Sequence, residues 1–271
     1  MIIGVDIGGT KTLLSVFAEN GKLLNEARFP TNTDYSNFLQ ELTAQALKLG
    51  TNKGKIACAA VPGLLDRKNG IVISLGNLPW QNQPIRQDIS KALGINTVLI
   101  ENDSKLAGLG EFMSLEQKLP RVYYITLSTG IGGTLLINGQ ISQDVIDGEI
   151  GMVRFPHNGA LMRWEDFASG RAFYDKYKQK ASDVDDPAIW QDFAQNIGLG
   201  ITMVCCIYQV DTIIFGGGLG IHLEKYNEYL KPYISTYLHS TIKKPRYLIK
   251  AHHGDRSVIY GCYHYAKDKI T

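Results

Sequence analysis

The chain opens Met1-Ile-Ile-Gly-Val-Asp-Ile-Gly-Gly-Thr-Lys-Thr-Leu-Leu-Ser-Val-Phe17, and this stretch decides how the rest is read. An apolar run delivers one carboxylate, Asp6, to a turn built from Gly8, Gly9 and Thr10. A second apolar run leaves that turn, and Asn20-Gly21 reverses the chain again, so the literal reading is strand, glycine turn, strand, hairpin turn. Without a Cβ in the way, a glycine turn can present backbone N–H groups to an anion. An aspartate on the same edge could hold a metal ion or its water beside a phosphate. A plain hairpin with a tight turn is the alternative, and this stretch alone does not separate the two.

The bulk properties exclude several classes. The chain has 271 residues, 44% hydrophobic and 20% charged, as expected of a globular protein with two modest domains or one large one. A net charge of +2 is too small to indicate nucleic acid or an anionic membrane as the main partner. No apolar run has the length to span a bilayer. The amino terminus enters a strand pattern at once, so no signal peptide is expected. Cys58, Cys205, Cys206 and Cys262 form no C-x-x-C pair, and most lie in apolar segments. Reduced thiols and a cytoplasmic location follow as the expectation.

Along the chain, strands and helices alternate. Apolar residues recur at helical spacing over 34–49, 84–93, 104–119, 165–180, 188–209, 221–239 and 257–267. Buried strands are expected at 55–61, 70–75, 96–100, 121–127, 212–215 and 247–251, and residues 140–164 read as irregular. Strand, Gly-Gly-Thr, strand, Asn-Gly occurs near Gly8 and again near Gly132, an internal echo that suggests a duplicated α/β unit facing a central cleft. Glycine-rich turns follow strands at Gly8–Thr10, at Thr129–Gly133 and at Gly216–Gly218. None fits the P-loop or the dinucleotide fingerprint. Asp103 ends an apolar strand and opens a helix, which places it at a sheet edge where ligands commonly sit. As an N-cap its carboxylate is expected to be held in the charged form, a weak base, which phosphoryl transfer tolerates.

Together these residues resemble the ROK family of sugar kinases, within the wider group sharing the actin, Hsp70 and hexokinase fold. Gly4-Val5-Asp6-Ile7-Gly8-Gly9-Thr10-Lys11 is similar to the family's first phosphate motif and Leu127–Gly133 to its second. Between them stand Val61-Pro62-Gly63, Gly76-Asn77-Leu78-Pro79-Trp80 and Glu101-Asn102-Asp103, in the family's order. Gly148-Glu149-Ile150-Gly151 resembles the sugar loop, followed by Ala168-Ser169-Gly170-Arg171 and an adenosine-like motif at Ile213–Gly218. The resemblance implies two similar ribonuclease-H-like (actin-like) α/β domains flanking a central ATP/sugar cleft. Residues 1–106, completed by a C-terminal helix over about 256–271, would form the smaller domain, and 107–255 the larger.

It also implies roles. Asp103 would take the proton of the attacking sugar hydroxyl. Asn102, Gly63, Asn77, Glu149 and Glu165 would contact the sugar. Asp6 would act through Mg²⁺, directly or through water. Gly8, Gly9, Thr10 and Lys11, with Thr129, Gly130, Gly132 and Gly133, would hold the ATP phosphates, and Gly217 and Gly218 would admit the adenosine. Zinc-bearing relatives carry a histidine directly after Glu-Ile-Gly and a cysteine cluster downstream. Here Met152 stands at that place and residues 153–165 contain no cysteine, so zinc is not expected and the sugar's identity stays open. His157 reads as a surface loop residue, and His252-His253, adjacent on a strand, point apart. The expected partners are a sugar and ATP, with no nucleic acid or membrane, and a homodimer is left open. The second reading is a sugar sensor or regulator of impaired activity. The family's repressors carry a DNA-binding domain ahead of the first phosphate motif, which here begins at Gly4.

Overall fold

A computed structural model describes residues 1–270. The chain divides into two units, Met1–Gly110 with the C-terminal segment from Arg256, and Glu111–Asp255. The first break falls after Gly110, beyond the boundary expected at residue 106, and both lie within helix Asp103–Met113.

The first unit contains β1 (Ile2–Ile7), β2 (Lys11–Phe17), β3 (Leu23–Pro30), α1 (Tyr35–Leu49), β4 (Ile56–Val61), β5 (Leu64–Asp66), β6 (Ile71–Ser74), β7 (Gln81–Gln83), α2 (Ile85–Leu93), β8 (Val98–Asn102) and α3 (Asp103–Met113). Its main sheet has the order β3-β2-β1-β4-β8. β2 and β3 run antiparallel to their neighbours, whereas β1, β4 and β8 are parallel. Side chains alternate across a strand, so both faces are apolar for different partners. Ile3, Val5 and Ile7 pack with Phe38 and Leu42 of α1 and with Ile85 and Ile89 of α2. Ile2, Phe17 and Cys58 pack on the other side with Ile259, Cys262 and Tyr263 of the C-terminal helix, Ser257–Lys267. That helix comes closest to α3 at two glycines: a Cβ on Gly261 would lie 1.9 Å from the Leu106 carbonyl oxygen, and one on Gly110 2.2 Å from that of Ser257. α1 starts where Asp34 accepts the Asn37 N–H (2.8 Å) and stops at Gly50, whose φ of 66° ends the helix in the left-handed region. β5, β6 and β7 form a small sheet of their own.

The second unit contains β9 (Arg121–Leu127), β10 (Ile131–Ile137), β11 (Gln140–Ile141), β12 (Arg154–His157), β13 (Ala160–Arg163), α4 (Trp164–Ala168), α5 (Gly170–Tyr177), α6 (Pro187–Tyr208), β14 (Thr212–Gly216), α7 (Gly217–Gly220), α8 (Leu223–Tyr237) and β15 (Tyr247–Lys250). Its sheet, β11-β10-β9-β14-β15, repeats the strand order and directions of the first. The duplication suggested by two short motifs is thus present at the level of whole sheets. Trp164, Trp190, Phe193 and Tyr226 fill the core under α6 and α8, each contributing about 1.5–3 kcal/mol or more by burial. Three expectations change, the first being that the helix expected over 104–119 ends at Met113. The irregular 140–164 segment holds the β12–β13 hairpin, and the single helix over 165–180 is two helices broken at Ser169. Glu111 is buried, and its carboxylate accepts the backbone N–H groups of His252 (2.6 Å) and His253 (2.9 Å).

Candidate active site

Strand register gathers the first group of residues. Asp6 pairs with Ala60, and Val61 with Asn102, so the carboxyl ends of β1, β4 and β8 lie side by side. This is the edge at which open α/β sheets take ligands. The turn after β1 is closed by the Gly8 N–H donating to the Lys11 carbonyl (2.9 Å) and tied to β3 by Thr31 N–H to the Thr10 carbonyl (3.0 Å). A Cβ on Gly9 would stand 2.8 Å from the Asn77 Cβ, so an expected phosphate residue and an expected sugar residue are in contact. Gly63 has φ +90°, and a Cβ there would fall 2.2 Å from the Ser74 oxygen; only glycine fits. Its carbonyl accepts from Asn102 Nδ2 (3.3 Å).

Asp103 departs from its expected environment. The cap of α3 is Asn102, whose Oδ1 accepts the Ser104 N–H (3.0 Å) and the Ser104 hydroxyl (2.7 Å). Asp103 Oδ1 shares the same N–H (2.8 Å). Burial pushes the Asp103 carboxyl above the ordinary aspartate range, against the opposing pull of that N–H and of the Lys105 charge. It is therefore a better base than an exposed helix cap would be.

Two residues before Asp103, Glu101 is fully buried. Arg67 Nε and Nη2 donate to the Glu101 carboxylate (2.8 and 2.7 Å), and the Asn102 N–H donates to it as well (2.7 Å). This bidentate pair braces the tripeptide that carries Asp103. Sequence reading did not find it. A buried acid demands a partner, but nothing local indicates an arginine 34 positions earlier.

In the second unit the turn itself is Ser128–Gly130, for Leu127 pairs with Ile131. Gly132 and Gly133 lie within β10, not in the turn, and Gly133 leaves room for the Tyr123 ring across the ladder. Four segments converge on this turn. Gly170 donates its N–H to the Ser128 carbonyl (2.6 Å). Gly217, at φ +76°, would place a Cβ 2.6 Å from the Leu127 oxygen, and Gly151 one 2.3 Å from that of Ile131. Glu165 Oε2 accepts from the Ile131 N–H at 3.4 Å and would touch a Cβ on Gly130 at 2.7 Å. Thr129 is exposed, and Gly218 is exposed with nothing within 4 Å of a built Cβ. Glu149 is exposed, one residue before the short 3-10 turn Ile150–Met152.

Arg163 is a second residue that sequence reading missed. Its Nη1 lies 3.2 Å from Glu165 Oε1 and 3.7 Å from Met152 Sδ, while its Nε and Nη2 hold Asp166. Met152, the methionine noted after Glu-Ile-Gly, thus has a guanidinium beside it. No group of three or more His, Cys, Asp or Glu able to hold a metal ion occurs among the described residues. His157 is no loose loop residue: it stacks on Phe167 (centroids 4.2 Å apart).

Comparison with known proteins fits this arrangement. The glucokinase of Streptomyces coelicolor is 30% identical over 67% of this chain, and the match spans 60% of that protein's length. The N-acetyl-D-glucosamine kinase of Salmonella paratyphi B is 29% identical over 96% of this chain and 97% of its own. Among solved structures, a Streptomyces griseus glucokinase in complex with glucose and AMPPNP superposes with a TM-score of 0.81 at 21% identity, over 98% of this chain and 99% of that one. That likeness, with the repeated strand order, gives the chain the actin-like ATPase fold. The ROK family profile matches residues 2–269, and the chain belongs to that family.

Proposed function

We propose that the chain is an ATP-dependent sugar kinase that moves the γ-phosphoryl group to a hydroxyl of a hexose or hexose derivative, glucose and N-acetylated hexosamines being the first candidates. The observation that carries this reading is Asp103, a carboxyl raised in pKa by burial at the carboxyl ends of parallel strands, with Asn102 and the glycine turn on the same edge. Such a group suits a general base that accepts the hydroxyl proton as the oxygen attacks phosphorus. Asn102, Gly63, Asn77, Glu149 and Glu165 would orient the sugar. Backbone N–H groups of Gly9–Lys11 and of Thr129 and Gly130 would bind phosphate oxygens, Gly8 closing its turn behind them, and the bare backbone at Gly217 and Gly218 would lie against adenosine.

ATP is taken with Mg²⁺ in this chemistry, and Asp6 fits: one half-buried carboxylate beside a phosphate turn suits an ion that keeps most of its waters. The ion would neutralise charge on the phosphates; positioning and proton transfer fall to the residues named above. An ATP-coupled assay across glucose, mannose, N-acetylglucosamine and N-acetylmannosamine tests the proposal. Turnover of at least one is expected. Saturable sugar binding without turnover of any would favour a sensor, the reading to which Met152, 47% exposed beside Arg163, lends its weight.

A further inference from the structure

The outer edge of β8 is the end of the first unit's main sheet. It borders a cavity of about 450 Å³, with residues 96–100 along one side and Arg67, Arg86 and Tyr265 around the rest. None of these residues is placed against sugar or nucleotide in the proposed chemistry; Arg67 bears on it only by bracing Glu101. Their donors, however, are arranged unusually. Arg67 is neutralised by Glu101. Arg86 has no carboxylate: its Nη1 donates to the Lys68 carbonyl (3.2 Å), its Nη2 to that of Arg67, and its Nε is buried without a partner. The lining therefore carries one positive charge that no carboxylate offsets. Burial, helped by the Glu101 charge, pushes the Tyr265 phenol up to about 12, so it keeps its proton and remains a donor. Asn96 and Thr97 add polar groups, and Val98 and Leu99 add apolar surface.

One net positive charge, a phenol donor and an apolar wall match a small organic anion rich in acceptor oxygens, and the volume lies in the usual range for ligand pockets. We propose that this cavity is a second ligand site, separate from the catalytic residues, that takes a phosphate monoester anchored by Arg86. The charged Arg86 guanidinium and the Tyr265 phenol would meet the phosphate oxygens, and Leu99 would meet the ester carbon chain.

Calorimetric titration of the full-length protein with glucose 6-phosphate and with inorganic phosphate, each repeated under saturating AMPPNP, tests this. One saturable event that survives AMPPNP is expected, tighter for the monoester than for phosphate, and weakened about tenfold or more by Arg86→Met. Tyr265→Phe, which removes one donor and no charge, should weaken it several-fold and serves if Arg86→Met fails to fold. Binding abolished by AMPPNP, or unchanged in both variants, would overturn the proposal. Equal affinity for phosphate and monoester would overturn the ligand class. Since the variants report on the cavity whether or not AMPPNP binds, failure here is distinguishable from failure of the kinase reading.

Discussion

Gly261→Ala is the sharpest test of how packing reaches the catalytic group. The added Cβ would stand 1.9 Å from the Leu106 carbonyl oxygen and 2.4 Å from its carbon, both backbone atoms with no rotamer to escape into. A Cβ essentially never approaches another heavy atom within 3.0 Å, so α3 and the C-terminal helix must part by about 1.1 Å at least. Overpacking of this kind costs about 1–3 kcal/mol, and a backbone clash belongs at the upper end. For a protein of this size that is a fall in Tm of about 5–10 °C. Asp103 lies one helical turn before Leu106, so the shift is carried to it. A displacement near 1 Å of a catalytic group costs about 10²-fold in rate. Thermal unfolding and a coupled ATP assay should show both losses, with the KM for ATP nearly unchanged. A variant within 1–2 °C of the wild-type Tm (roughly 0.5 kcal/mol) and with unaltered kcat would refute the link from glycine contact to catalysis.

Further outcomes are expected. Asp103→Asn should lower turnover by about 10²–10⁴-fold with sugar binding kept, as measured by single-turnover assay and calorimetry. The raised pKa adds a sign. A carboxyl that holds its proton more tightly in the folded state favours folding below its unfolded pKa, and this contribution is lost as pH rises through the folded value. At pH 8 the charged wild-type group is thus a burden, and Asp103→Asn should melt no lower than the wild type; a lower Tm would contradict the burial argument. The acid limb of the kcat/KM profile should accordingly lie above the ordinary aspartate range. Arg67→Met should leave Glu101 charged and buried, a loss of about 3 kcal/mol or more in urea unfolding, partly restored by Arg67→Met with Glu101→Gln. Arg163→Met should raise the sugar KM several-fold by freeing Glu165, while Tm changes by no more than about 2 °C, since exposed pairs contribute little.

Much of the fold was legible because its signals are local. The 15-residue α1 has its cap, its apolar stripe and its terminating glycine in one window, and the register of β1 and β2 follows from a tight glycine turn. What stayed hidden depends on contacts between distant segments. The β12–β13 hairpin carries no clean alternation because its residues are only partly buried. Gly132-Gly133-Thr134 looked like a turn because it repeats the composition of Gly8-Gly9-Thr10, yet pairing with β9 draws it into a strand. Asp103 was correctly placed at a strand-to-helix junction. Its base strength was misjudged, because capping is a local cue whereas desolvation is set by the surrounding fold.

The helix Ser257–Lys267 has a consequence for the order in which the protein can be made. It supplies Ile259, Cys262, Tyr263 and Ala266 to the cluster that covers Ile2, Phe17, Ile56 and Cys58. The amino-terminal sheet leaves the ribosome first but has no cover for that side until the last residues emerge. At synthesis rates of about 5–20 residues per second, the wait is roughly ten to thirty seconds. Throughout it, the strand that carries Asp6 lacks that helix's cover, while Glu111–Asp255 has all its segments as soon as Asp255 emerges, ahead of the final helix. The later half of the gene product can therefore finish folding before the earlier half, and truncation of the final helix should turn the nascent amino-terminal unit into a chaperone client.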